Sequence, residues 1–207
     1  LDFIKAMRAQ NRLVAMGHSS AGHAVVAAAA EAGATLSTHL GNGLPQVLPK
    51  LDNTLFAQLA EDRLLATFIA DGIHVPPHAL KALIRAKGIE RSALVTDAVA
   101  AAGAGAGIYG FAGMRIERSS EGVVSQAGME GLAGSALRLD EAVRNLVRWN
   151  IASFGEAIDM ASTRLLDLLV PILDVHHVAL PASEVEWSRS MTVRRVRLGD
   201  EAFIFEA

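Results

Sequence analysis

The first hundred residues repeat one pattern: a short apolar run closes on a polar residue, a small-residue turn follows, and a helical stretch comes next. Leu13-Val14-Ala15-Met16 closes at Gly17-His18. Ser19 or Ser20 can cap a helix predicted through residue 30, and Gly33 can end it. The run Ala34-Thr35-Leu36-Ser37-Thr38 closes at His39-Leu40-Gly41-Asn42-Gly43, and residues 54–61 predict a short helix. Residues 64–69 form a third run that ends at Asp71-Gly72-Ile73-His74, and Pro76-Pro77 open a helix through residue 86. The fourth run, Ala93-Leu94-Val95-Thr96, ends at Asp97.

Strands alternating with helices imply βαβ units around a parallel sheet, an α/β fold. The polar landmarks fall at 18, 39, 74 and 97. A complete eight-unit barrel of ~250 residues averages about 30 residues per unit, and the intervals scatter around that spacing. Four units make half of a TIM-type (β/α)8 barrel. An open four-stranded doubly wound sheet is the competing architecture. The barrel is preferred because a catalytic-type polar residue closes every strand, as barrel active sites require.

Beyond Asp97 the pattern changes. Residues 98–113 read as a glycine- and alanine-rich loop, and 114–117 with 123–125 as a small hairpin around a polar turn. Leu139, Ala142, Val143, Leu146 and Val147 line one face of a helix. Ser153 and Glu156 make a capping-box pattern ahead of the next. Residues 193–198 and 202–205 predict a hairpin around Gly199-Asp200. The division expected is a partial barrel over 1–170 and a β segment of a small, incomplete domain over 171–207.

Composition narrows the function classes. With 207 residues, 51% hydrophobic and 20% charged, the chain reads as an ordinary soluble globular protein. Its formal net charge of −3, with no basic block, argues against a nucleic-acid partner. The absence of cysteine excludes a disulfide framework and a thiolate metal site, and fits a cytoplasmic location. No apolar run is long enough to span a membrane: the alanine-rich stretch at 24–30 is followed directly by Glu31. Residues 1–10 lack a signal-peptide pattern and read as the end of a helix, without an initiator Met. A piece of a longer protein is therefore expected.

Chemistry concentrates at the strand ends. Adjacent parallel strands lie about 4.8 Å apart, so side chains that close neighbouring strands converge. His18 and His39 close consecutive strands, and two imidazoles can hold one divalent ion at ~2.0–2.1 Å each. Zinc suits these donors; iron, manganese and cobalt accept them too. Asp97 is placed where a carboxylate could take a proton from an activated water, and His74 could hold substrate. Asp97 could equally be a helix N-cap, and Gly41-Asn42-Gly43 either a tight turn or an anion cradle. His23 and His78 read as surface or packing residues, and the adjacent pair His176-His177 as non-ligands.

Five stretches, in order, resemble the N-acetylglucosamine-6-phosphate deacetylases of the amidohydrolase superfamily. They are Met16-Gly17-His18-Ser19-Ser20-Ala21, Ser37-Thr38-His39-Leu40-Gly41-Asn42-Gly43, Phe68-Ile69-Ala70-Asp71-Gly72-Ile73-His74-Val75, Leu94-Val95-Thr96-Asp97-Ala98 and Leu132-Ala133-Gly134-Ser135. The resemblance implies strands 5–8 of the barrel and a homodimeric, cytoplasmic enzyme of amino-sugar catabolism. That enzyme hydrolyses an acetamide to acetate and a free amine. His18 and His39 become metal ligands and Asp97 the general base. His74, Asn42 and the amide of Gly43 bind the sugar phosphate, and Leu132, Ala133 and Gly134 line the pocket.

Three departures accompany the resemblance. The family's N-terminal half, with its metal-binding glutamate and carbonyl-polarising histidine, has no counterpart here. Lys50 stands near the family's phosphate-binding arginine and can supply charge without the bidentate fork. Residues 170–182 replace the expected glycine-rich stretch. Hydrolysis of N-acyl amino acids or cyclic amides, and a non-catalytic sugar-phosphate-binding module, are the alternative readings.

Overall fold

The computed structural model describes residues 1–129 and 131–205. Helix α1 (Asp2–Ala9) precedes β1 (Ala15–Met16), α2 (His23–Glu31), β2 (Leu36–Ser37), α3 (Thr54–Ala60), β3 (Leu65–Phe68), α4 (Pro77–Lys87) and β4 (Ser92–Leu94). The four strands are parallel and lie side by side in chain order, β1-β2-β3-β4. A doubly wound sheet reverses its strand order at a switch point. Among the described residues this sheet has no such reversal.

The strands are shorter than the apolar runs that predict them. Each run turns as soon as it reaches its polar residue, so pairing stops early. Neither Ser19 nor Ser20 caps α2. Gly22 occupies that position, because Ser19 Oγ accepts the Ala21 N–H (3.1 Å) and prolongs the turn. Gly33, at φ +114°, closes the helix as predicted.

The main core joins Phe68, Leu80, Ile84 and Leu94 to Leu146 and Met160, contributed by α5 (Leu139–Arg148) and α6 (Phe154–Ala161). Ser153 and Glu156 form both halves of the predicted capping box at the start of α6. A smaller cluster, with Val26, Ala29 and Leu64 at its centre, packs α2 under β1. Burying side chains of this size contributes roughly 1.5–3 kcal/mol each.

Two regions differ from expectation. Part of the glycine-rich stretch forms a strand, β5 (Gly107–Phe111), which pairs antiparallel with β6 (Met114–Arg118), itself paired to β7 (Val124–Gln126). Ala112 and Gly113, both at positive φ, supply the tight turn that makes this hairpin possible. Further on, α7 (Thr163–Val175) runs unbroken past residue 170 with Pro171 inside it. A third strand, β8 (Ser183–Trp187), joins the predicted hairpin of β9 (Val193–Leu198) and β10 (Glu201–Ile204). Trp187 meets Phe154 edge to face at 5.5 Å, and Arg144 Nη1 donates to the Met191 carbonyl (3.1 Å), docking this sheet on α5 and α6. Among the described residues no helix is long and apolar enough to cross a membrane.

Candidate active site

The candidate residues stand at the ends of the parallel strands, and they do so on unusual backbone. His18 (φ +48°), His39 (φ +32°) and Asp97 (φ +52°) all lie in the left-handed region. Such positions cost of order 1–3 kcal/mol each in a non-glycine residue and persist only where their surroundings hold them. The supports are visible. The His39 N–H donates to Thr67 Oγ1 of β3 (2.8 Å), and the Thr67 hydroxyl in turn reaches the Ser37 carbonyl (3.3 Å). The Asp97 carbonyl accepts the Ser135 N–H (2.8 Å), while Ser135 Oγ donates to the Thr96 carbonyl. Gly43 lies flush against the His18 imidazole, where a Cβ would collide with the ring.

The two imidazoles meet. His18 Nε2 and His39 Nε2 are 3.1 Å apart, with the rings nearly perpendicular. Two nitrogens at ~2.0–2.1 Å from one tetrahedral ion are separated by about 3.3 Å, so this pair fits two corners of such a site. His39 Nδ1 is buried without a hydrogen-bond partner among the described residues. No group of three or more His, Asp or Glu side chains is placed to hold an ion among the described residues, so the pair supplies only part of a ligand set.

A cavity of about 580 Å³ opens beside the pair. His74 and Asp97 face it together with His18 and His39, and so do Asn42 and Gly43. Leu132 and Gly134 also line it. Asn42 also serves the turn itself, donating Nδ2 to the His39 carbonyl (3.1 Å). Two predicted residues are not in the lining. Ala133 packs instead with the cluster of Ala101, Ile116 and Val124, held by its N–H to the Val124 carbonyl (3.0 Å). Lys50 is exposed outside the cavity. Asn53 caps α3 and also donates to the Pro49 carbonyl (2.8 Å), drawing this stretch toward the helix start.

Sequence reasoning passed over Asp71 and Thr67. Asp71 Oδ2 lies 2.6 Å from His74 Nδ1. Burial alone would raise the Asp71 carboxyl, but hydrogen bonds from the side chain and backbone of His74 hold it below its ordinary range. The signal available was the spacing Asp71-Gly72-Ile73-His74. Thr67 gave no signal, being one more β-branched residue in an apolar strand. His176 and His177 lie away from the site, with His176 Nε2 against the Asn11 carbonyl (3.2 Å).

No family model matches the chain. It is 38% identical over 162 residues to the N-acetylgalactosamine-6-phosphate deacetylase of Escherichia coli O157:H7, covering 78% of this chain and 42% of that protein. To the N-acetylglucosamine-6-phosphate deacetylase of Bacillus subtilis it is 30% identical over 161 residues, 78% of this chain and 40% of the relative. A shorter Escherichia coli K12 protein, provisionally named as an N-acetylgalactosamine-6-phosphate deacetylase, is 38% identical over 124 residues, 72% of its length. The solved N-acetyl-D-glucosamine-6-phosphate deacetylase of Mycobacterium smegmatis, in complex with N-acetyl-D-glucosamine-6-phosphate, superposes with a TM-score of 0.86 at 25% identity. That match covers 99% of this chain and 54% of the solved one. The Pasteurella multocida enzyme gives 0.84 at 25% identity. The chain thus spans about two fifths of the length of the first two relatives. Matched in sequence over more than three quarters of its length, and in fold over nearly all of it, the chain belongs to the N-acetylglucosamine-6-phosphate deacetylase family.

Proposed function

We propose that this chain carries the C-terminal half of a (β/α)8 amidohydrolase barrel, and that its parent protein deacetylates an N-acetyl amino sugar 6-phosphate. The product pair is the amino sugar phosphate and acetate. The observation that carries this reading is the meeting of His18 Nε2 and His39 Nε2 at 3.1 Å beside a cavity that Asp97 and His74 also line. The uninterrupted order of the parallel strands supports the barrel half.

His18 and His39 would hold a divalent ion, zinc by the nature of the donors, with the family's glutamate completing the set. When bound, such an ion lowers the pKa of a coordinated water to about 7 and polarises a carbonyl. The remaining work belongs to the chain's own residues. Asp97 accepts a proton as the water oxygen bonds to the acetyl carbon, then delivers it to the nitrogen as the carbon–nitrogen bond breaks. His74, Asn42 and the Gly43 amide bind the sugar phosphate. Leu132 and Gly134 shape the wall against the sugar. Lys50, outside the cavity, is not assigned to the substrate. Homodimerisation and a cytoplasmic location rest on the family resemblance alone.

The test is acetate release by the full-length protein supplied with zinc, assayed with N-acetylglucosamine and N-acetylgalactosamine and their 6-phosphates. Turnover abolished by Asp97→Asn supports the assignment. No acetate from any of the four would end it. Sugar-phosphate binding without metal uptake or turnover, read by calorimetry, would instead favour a binding module.

A further inference from the structure

The loop that follows β3 is held more firmly than a loop carrying one ligand-facing histidine requires. Asn145 of α5 donates Nδ2 to the Ala70 carbonyl (2.8 Å). Trp149 lies over Gly72 so closely that a Cβ there would come within 3.2 Å of the indole. Asp71 then closes the loop on itself. Its Oδ1 accepts the N–H groups of Ile73 and His74, both at 2.9 Å, and its Oδ2 meets His74 Nδ1 at 2.6 Å. The two side chains are almost wholly buried, 8% and 6% exposed.

An ionised carboxylate only accepts hydrogen bonds, so the ring nitrogen that faces it must carry the proton. The hydrogen bonds that hold the Asp71 carboxyl low keep it in that form. His74 Nε2 makes no hydrogen bond among the described residues, and His74 is one of the residues that line the cavity. A free histidine side chain in water favours the opposite tautomer, with its proton on Nε2. The anchor therefore selects both the plane of the ring and the nitrogen offered to a ligand.

We infer that Asp71 is a positioning residue for ligand recognition: it fixes His74 in the Nδ1–H tautomer and so presents Nε2 as a hydrogen-bond acceptor to a sugar hydroxyl of an N-acetyl amino sugar phosphate in the cavity. This rests on the proposed function for the identity of the ligand, but not for the tautomer. Asp71 is not among the residues that line the cavity, whereas His74, the imidazole pair and Asp97 are. Its loss should loosen binding and leave the chemical step intact. A pre-set ring forfeits less freedom when the ligand arrives, which is where the affinity comes from.

Two measurements test it. Long-range ¹H–¹⁵N spectra of the histidine rings of the wild-type protein, at a pH where the ring is neutral, should show His74 as Nδ1–H. An Nε2–H pattern overturns the inference, whatever the enzyme does. For the phosphorylated substrate, Asp71→Leu should raise KM about tenfold with kcat within about twofold, the scale of an outer-shell loss. Asp71→Asn keeps an acceptor oxygen and should recover most of the affinity. Equal damage in both variants, or a fall in kcat at unchanged KM, overturns it. If the wild-type protein shows the Nδ1–H form but releases no acetate, the positioning role stands and the deacetylase reading fails. Should Asp71→Leu not fold, the wild-type spectrum still decides.

Discussion

Lys87, the last residue of α4, is completely buried, and its charge is committed to the end of a different helix. Nζ donates to the carbonyls of Glu61 (2.8 Å), Gln58 (2.9 Å) and Leu59 (3.4 Å), which close α3. Helix ends leave carbonyls without intrahelical donors, and an ammonium brings three N–H groups to meet them. Burial pushes Lys87 down to about 8, Arg91 adds to the effect, and Asp62 and Glu61 oppose it. Lys87→Met keeps the stem and removes the donors. The two short bonds, at roughly 1.5–3 kcal/mol each for a charged donor, are worth ~3–6 kcal/mol together. Relief of the burial penalty, seen in the fall from 10.5 to about 8, returns ~3 kcal/mol at about 1.36 kcal/mol per pH unit.

The balance predicts that Lys87→Met destabilises the protein by ~2 kcal/mol, a fall in Tm of roughly 4–8 °C at this size. Urea denaturation followed by circular dichroism measures it. A second arm uses pH. Because the folded-state value lies below 10.5, the unfolded chain binds more protons between about 8 and 10.5, so stability rises with pH across that window. The Met variant should lose that slope. A variant as stable as the wild type, or a wild type with no alkaline rise, refutes the reasoning.

Two further outcomes follow from contacts already described. Thr67→Val removes the hydroxyl that accepts the His39 N–H and should weaken zinc binding about 10- to 100-fold by calorimetric titration, with Thr67→Ser close to wild type. Unchanged affinity would show that the backbone of His39 needs no such anchor. Glu61 is lowered from 4.5 to about 2 by its side-chain hydrogen bond from Arg63, against burial. Its contribution to stability is present above about 4.5 and lost as pH falls toward 2. Arg63→Gln should flatten that acid limb in urea midpoints taken across the range.

Periodicity was enough to read the parallel sheet, because each apolar run ends on a residue that would be misplaced in a core. His18, His39, His74 and Asp97 could be grouped for the same reason: neighbouring strand ends lie close whatever their exact length. The tail was harder to read. Thr163–Val175 contains Pro171 and four leucines and valines more than a third exposed, so it lacks a clean buried face from which to infer a helix. Gly107–Phe111 is a strand because the turn at Ala112-Gly113 brings Ile116 opposite Tyr109, a local hairpin pairing that the glycine- and alanine-rich composition obscures. Lys50 lay close in sequence to the Gly41-Asn42-Gly43 turn, but Asn53 turns the intervening chain toward α3.

What the apolar pattern could not show is how each candidate residue is mounted. His18, His39 and Asp97 all occupy backbone that an isolated chain avoids, and each is stabilised from a different segment: Gly43 beneath His18, Thr67 beside His39, Ser135 against Asp97. These supports come from the turn after β2, from β3 itself, and from the segment beyond β7. None is adjacent in sequence to the residue it holds. The geometry of the imidazole pair and the aspartate therefore belongs to the packed sheet as a whole rather than to the local motifs that advertise it. Strain of this kind is kept only while the surrounding contacts over-determine the backbone. Loss of one support should consequently disturb the position of the imidazoles or the aspartate before it unfolds the sheet, whose core includes Phe68, Leu80, Ile84 and Leu94.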